Sequence, residues 1–245
     1  MPTYYEVVRD LLARAETTQG TTLDAAAEAG AAAIAAGRLL HVFGSGHSAS
    51  VAAEAFHRAG GLVPVNAILE PFLSPFAPPR QVSAMERLPG LAATLLDANR
   101  VERGDLLLVA SNSGINALPV EMAIEGKARG LTVVAVTSVA HSRAEAPRHA
   151  SGKRLFELAD HVLDNGGAPG DVAVPVPGGP EGARMGPTSG VVGAFLVNAW
   201  VVRIAERLAA RGIRPPVYVS ANVAGGDAHN REAEAPYRGR IRLLS

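Results

Sequence analysis

The 245-residue chain contains no cysteine. That excludes disulfide bonds, a thiolate nucleophile and cysteine-ligated zinc, and it suits a reducing compartment. Charge of one sign is also lacking: 23 Lys and Arg balance 23 Asp and Glu. The chain therefore has no basic excess with which to neutralise nucleic-acid phosphates. Only two of its basic residues are lysines, Lys127 and Lys153. No hydrophobic run is long enough to span a bilayer, the most apolar one, 191–202, being ended by Arg203. Residues 1–19 carry Glu6, Arg9, Asp10, Arg14 and Glu16, which is no secretory signal. The histidines offer no metal-ligand spacing, since His141 and His149 stand eight apart. The expectation is a cytoplasmic protein with no membrane, nucleic-acid or metal partner.

What the chain does have is two short serine-rich loops, Gly44-Ser45-Gly46-His47-Ser48 and Ser111-Asn112-Ser113-Gly114-Ile115-Asn116. Each follows an apolar strand-like run, 39–43 and 106–110. Each precedes a helix-like run, 49–58 and 117–129. That context puts hydroxyls and free backbone N–H groups at two helix N-termini, where the helix dipole favours an anion. Neither loop holds a lysine, so neutral donors would hold the anion, and a phosphate on a small molecule fits best. Two other readings remain open. Gly44-Ser45-Gly46 with Ala49 also matches a degenerate dinucleotide fingerprint, with Glu70 roughly where a ribose-binding acid would stand, although this leaves the second loop unexplained. The second loop is alternatively a plain capping turn with Ser113 as cap, which would have no use for Ser111, Asn112 and Asn116.

Around the loops, strand and helix patterns alternate. Helical spacing covers 4–15 and 22–36, the second run with Thr21 or Thr22 as N-cap. Strands are predicted at 39–43, 62–68 (an edge strand, given Pro64), 105–110, 132–136 and 160–164. Residues 70–80 hold four prolines and read as loop, and 91–99 read as helix. The Gly- and Pro-rich stretch 165–187 contains a short strand at 172–176, and Thr188 caps the longest helix, 188–211. Beyond Gly212 come a short apolar run, 217–219, and a polar segment, 222–230. This order predicts an α/β fold, a three-layer αβα sandwich with a parallel five-stranded sheet, flavodoxin- or Rossmann-like. We expect one domain over 1–245, with an N-terminal helical segment 1–36 and a tail 213–245. Such sheets bind ligands beyond the carboxyl ends of their strands. Both serine loops stand there, so they are expected to share one site.

The pairing of these two loops, each in a strand–helix unit, resembles the SIS (sugar isomerase) domain of phosphosugar isomerases and binding proteins, over roughly residues 5–212. Two further segments, Glu54-Ala55-Phe56-His57-Arg58-Ala59-Gly60-Gly61 and Ser220-Ala221-Asn222-Val223-Ala224-Gly225-Gly226-Asp227-Ala228-His229-Asn230, are similar to one bacterial branch of SIS proteins. Within that branch the chain is similar to an actinobacterial N-acetylglucosamine-6-phosphate dehydratase. The resemblance implies a small-molecule phosphosugar partner, with phosphate on Ser111, Asn112, Ser113 and Asn116 and sugar on Ser45 and Ser48. It also implies a homodimer or homotetramer with sites near subunit interfaces. The activity implied is that of a carbon–oxygen lyase needing no cofactor. An aldose–ketose phosphosugar isomerase and a non-catalytic phosphosugar sensor are the alternatives; against the sensor, 1–36 is no basic helix-turn-helix. His47 replaces the small residue of many SIS first loops, either touching the sugar or covering the helix start. His57, Thr188 and Ser189 complete the candidate substrate contacts.

For the chemistry, Glu54 lies on the helix after the first loop among Ala52, Ala53, Ala55 and Phe56, and shares a face with His57. Apolar surroundings hold a carboxyl near neutrality, as acid–base work requires. The alternative is an i,i+4 surface pair with Arg58. Glu121, about one and a half turns beyond Asn116, is the second candidate, or else a surface charge beside Glu125 and Lys127. His229, flanked by Asp227 and Asn230, is the third, because a late histidine enters the site in SIS proteins, often from a partner subunit.

Overall fold

The computed structural model describes residues 1–244. At its centre lie five parallel strands: β1 (Leu40–Gly44), β2 (Val65–Ile68), β3 (Leu106–Ala110), β4 (Thr132–Thr137) and β5 (His161–Asp164). Their spatial order is β2-β1-β3-β4-β5. Side chains alternate between two cores. Leu40, Val42, Leu106, Leu108 and Val134 enter one, and Phe43, Leu107, Val109 and Val133 enter the other. Burial on both faces is why β3 reads as an unbroken apolar run.

The first core is roofed by α1 (Tyr4–Ala35), α2 (Ala49–Ala55) and α8 (Ser189–Ala210), with Trp200 wholly buried between them and the sheet. The second is roofed by α4 (Leu91–Ala98), α5 (Ala117–Ala128) and α7 (Leu155–Leu158), with α3 (Pro79–Arg87) packed beside α5. This is the expected three-layer α/β sandwich. No helix among the described residues is long and apolar enough to cross a membrane.

Several local expectations change. The two predicted N-terminal helices are one continuous helix of 32 residues. Thr17 and Thr18 turn their hydroxyls back onto the carbonyls of Ala13 and Arg14, so the threonine cluster continues the helix rather than starting one. The close approach of α1 to α8 uses Gly30, where a Cβ would lie 2.6 Å from Ile204 Cδ1. The cap of α1 is Thr3: the Glu6 N–H donates to Thr3 Oγ1 at 3.2 Å, and the Thr3 N–H donates to Glu6 Oε2 at 2.8 Å. Thr3→Ala is expected to cost about 1 kcal/mol of stability in urea unfolding. An unchanged midpoint would show that the first turn contributes nothing.

The loop expected over 70–80 gives way at its end to α3, with Pro79 in the first turn where its missing N–H costs nothing; 81–87, which carry no assignment from pattern, continue it. Short helices α6 (Val139–Ala144) and α9 (Gly226–Glu234) also appear, and the strand expected at 172–176 is a two-residue pair, β6 (Val174–Pro175) with β7 (Arg184–Met185). The chain beyond α8 returns to β2. Leu62 bridges Val217 in antiparallel fashion, Val63 N–H donates to Pro216 O at 2.8 Å, and Arg242 N–H donates to Asn66 Oδ1 at 3.1 Å.

Candidate active site

Strand order reverses between β1 and β3, and at such a point the carboxyl ends of neighbouring strands open a crevice. Gly44 pairs with Ala110, so the two serine loops leave the sheet side by side. They line one cleft of about 370 Å³, the first loop through Ser45, His47 and Ser48, the second through Ser111, Asn112, Ser113 and Asn116. Glu86 and Val82 of α3, His141 of α6, Asp171, Ser189 at the start of α8, and the 74–79 segment also line it. Among the described residues, no lysine or arginine lines it.

The second loop is not a plain capping turn. Asn116 stands at the N-cap of α5 yet makes no capping bond. Its side chain is used elsewhere: Arg148 Nη1 donates to Oδ1 at 2.8 Å, which turns Nδ2 toward Glu86 Oε2 at 3.0 Å. Gly114 has φ +59°, and a Cβ there would meet Thr137 Oγ1 at 3.1 Å and Leu155 Cβ at 3.2 Å. Only glycine fits this turn. Its N–H donates to Ser111 Oγ at 3.2 Å. Among the described residues, the N–H groups of Asn112, Ser113, Ile115 and Asn116 have no acceptor. Free N–H groups and hydroxyls at a helix N-terminus are what a phosphate requires.

Two acidic side chains face this cradle. Ser45 Oγ donates to Glu86 Oε1 at 2.8 Å, so Glu86 joins both loops. Asp171, at φ +56°, accepts from Thr188 N–H and Ser189 N–H at 3.0 Å each, and from Ser189 Oγ at 2.5 Å. It therefore caps α8 in place of Thr188, which is buried and makes no side-chain cap. His141 lies beside Asn112 on the other wall.

The structure thus brings together Ser45, His47, Ser48, Ser111, Asn112, Ser113, Asn116 and Ser189, and sets Thr188 just beneath them. Four other candidates lie outside the cleft lining. Glu54 forms the ion pair with Arg58 and accepts from Asn198 Nδ2 at 2.8 Å. His57 does not share its helix face, because α2 ends at Ala55 and His57 takes a left-handed φ of +44°. Its ring lies against Tyr218 and pairs with Glu234 at 3.2 Å. Burial, with Glu234 nearby, holds the Tyr218 phenol above its ordinary value. Glu121 accepts the Gly90 N–H at 2.7 Å and faces His149 at 3.5 Å. His229 donates through Nε2 to Val217 O at 3.1 Å, while Asn230 pairs both backbone groups of Val219.

Pattern reading missed Glu86, Asp171 and His141. For His141 a signal existed: Thr137-Ser138 ends β4 as the serine loops end β1 and β3, and Ser138 Oγ accepts the His141 N–H at 3.0 Å. Asp171, within a Gly- and Pro-rich stretch, carried none. No group of three or more His, Asp or Glu side chains among the described residues is placed to hold a metal ion.

Comparison with known proteins agrees with this fold. A family model described as SIS domain matches residues 3–138. A UPF0309 protein of Shouchella clausii is 39% identical over 242 residues, 98% of each chain. A UPF0309 protein of Streptomyces griseus subsp. griseus is 40% identical over 240 residues, 97% of this chain and 95% of its own. A phosphoheptose isomerase from Francisella tularensis shares the fold with TM-score 0.53 at 16% identity, over 83% of this chain and 95% of that one. The Vibrio vulnificus NanR protein complexed with ManNAc-6P shares it with TM-score 0.53 at 18% identity, over 99% of this chain and 68% of that one. The match over residues 3–138, which hold both serine loops and the strands that carry them, places the chain in the SIS-domain family.

Proposed function

We propose that the protein is a phosphosugar lyase that dehydrates N-acetylglucosamine 6-phosphate. The observation that carries this reading is the meeting of the two serine loops in one cleft without a lysine or arginine. The phosphate takes Ser111, Ser113 and the free N–H groups at the start of α5. The sugar hydroxyls then fall to Ser45 and Ser48 across the cleft. The NanR structure adds that this fold accommodates an acetamido sugar phosphate in another protein.

Aldose–ketose isomerisation and dehydration share their first step, loss of the C2 proton from the opened aldehyde. A base must lie within hydrogen-bond reach of that proton. With an acetamido group on C2, ketose formation is blocked and loss of the 3-hydroxyl follows. The C2–H and C3–O bonds break, a C2=C3 double bond forms, and water departs. No cofactor is consumed. An assembly of two or four copies, with the cleft near the interface, belongs to the same reading, and in it His229 would act in a neighbour's cleft.

Incubation of the purified protein with N-acetylglucosamine 6-phosphate is expected to produce the ultraviolet absorbance of an unsaturated aldehyde. No absorbance change, together with conversion of glucose 6-phosphate to the ketose, would replace the lyase by an isomerase. Thermal stabilisation by either sugar phosphate with turnover of neither would make the protein a sensor.

A further inference from the structure

We infer that the Glu86 carboxylate removes the C2 proton, an assignment that rests on the dehydratase reading above. Four titratable side chains line the cleft: Glu86, Asp171, His47 and His141. Asp171 already accepts two N–H groups and two hydroxyls at the start of α8, and moving it would undo that helix end. His47 is exposed at the rim. His141 lies on the wall behind Asn112, 3.5 Å from its amide nitrogen. Glu86 stands between the loops, with one oxygen on each.

Its partners matter as much as its place. Glu54 is held by Arg58, and Glu121 by the Gly90 N–H with His149 close by. Glu86 meets only neutral donors, the Ser45 hydroxyl and the Asn116 amide. These can yield to an arriving sugar without stranding a buried cation, whose exposure to an unpaired state would be costly. Ser45 can also reverse its hydroxyl and accept, so the clamp survives a change in the charge of Glu86.

A sugar with its phosphate on the second loop and hydroxyls on the first lays its carbon chain across this carboxylate. A Glu86 oxygen takes the proton from C2, and the electron pair moves into an enolate at C1–C2. As the enolate collapses, the C2=C3 bond forms and the C3–O bond breaks. The same carboxyl returns its proton to the departing hydroxyl, which leaves as water. Glu86 ends as it began, and one group serves as base and then as acid.

Glu86→Gln keeps the shape: its amide oxygen accepts from Asn116 and its nitrogen donates to Ser45. On N-acetylglucosamine 6-phosphate, we expect kcat to fall at least about 100-fold, the usual size of a general-base contribution. Exchange of the C2 proton with deuterated solvent, followed by NMR, should fall in parallel. The concentration of N-acetylglucosamine 6-phosphate needed for thermal stabilisation should change less than about 3-fold, and Glu86→Asp should recover part of the exchange. Glu86→Gln retaining a third or more of wild-type kcat would overturn the assignment. So would a loss of binding as large as the loss of kcat, which would make Glu86 a clamp. If Glu54→Gln abolishes exchange while Glu86→Gln keeps it, the base lies on α2 and acts from a second subunit. The dehydratase reading fails separately, in the wild type: conversion of glucose 6-phosphate alone removes that reading but leaves Glu86 to be judged by C2 exchange in that sugar. Exchange in neither sugar removes both.

Discussion

Gly44→Ala is expected to destabilise the protein by about 3 kcal/mol or more and to abolish binding of sugar phosphates. A Cβ at this position would lie 2.2 Å from Ser48 O, 2.5 Å from Ser48 C and 2.9 Å from Ala49 N. All three are backbone atoms, so no side-chain rotation relieves the clash. Either β1 must retreat from β3 at the Gly44–Ala110 pair, or the turn 45–48 must lift off the strand end. Overpacking of this kind costs typically 1–3 kcal/mol, and more where the backbone itself must move. Ser45 and Ser48 move with the turn, so binding suffers with stability. Urea unfolding and stabilisation by N-acetylglucosamine 6-phosphate measure the two effects. A variant with wild-type stability and binding would show that this close approach is not needed.

The second large effect lies at the opposite end of the sheet. Asp105 is wholly buried and accepts from Leu39 N–H at 2.9 Å, Glu102 N–H at 2.8 Å, His41 Nε2 at 3.0 Å and Arg240 Nη2 at 3.0 Å. His41 has one way to join this network. Asn66 Oδ1 accepts from Arg242 N–H, so Asn66 Nδ2 donates to His41 Nδ1, and the ring proton sits on Nε2 facing Asp105. Asp105→Ala leaves two backbone donors and an imidazole N–H without their acceptor, and leaves Arg240 with Glu102 alone. Each buried donor left unsatisfied costs about 1–3 kcal/mol, so the three together are expected to cost at least about 3 kcal/mol, or roughly 6 °C or more in Tm for a domain of this size. Burial works against the charge of Asp105, but the bonds from His41, Leu39 and Glu102 outweigh it and hold the carboxyl below its ordinary range. A depressed folded-state value gives stability that is complete above the unfolded value, about 3.9. That stability is lost as pH falls through the folded value. Wild-type stability should therefore decline on acidification below about pH 4, and Asp105→Ala should decline less steeply there. Parallel pH–stability curves for the two proteins would count against this account.

The serine loops were legible because each sits where a short, nearly unbroken apolar run gives way to small polar residues, a local signal. Glu86 carried no such signal. It is one of three charges on a nine-residue helix whose apolar stripe is only Val82 and Met85, too short to mark the helix from pattern. Its meaning comes from partners 41 and 30 residues away, Ser45 and Asn116, which only the assembled fold brings to it. Glu54 shows the reverse case. Helical spacing carries α2 through Arg58, but Phe56 is extended and His57 left-handed, so the face Glu54 and His57 were expected to share does not exist. In α1, threonines that satisfied themselves within the helix resembled the caps of a new one.

The return of residues beyond Gly212 to β2 bears on how the molecule is made. β1 and β3 close one side of β2 only through β1, while its flank near Leu62 and Asn66 is completed by Val217 and Arg242. During synthesis the strand must wait for roughly 150 further residues, about 7–30 s at 5–20 residues per second. Over that interval an apolar strand has an open edge, the geometry from which chains add to one another. Long-range closure of this kind also slows folding. Until the tail returns, Asn66 Oδ1 also lacks the Arg242 N–H, while its amide nitrogen already has His41 and Asn99.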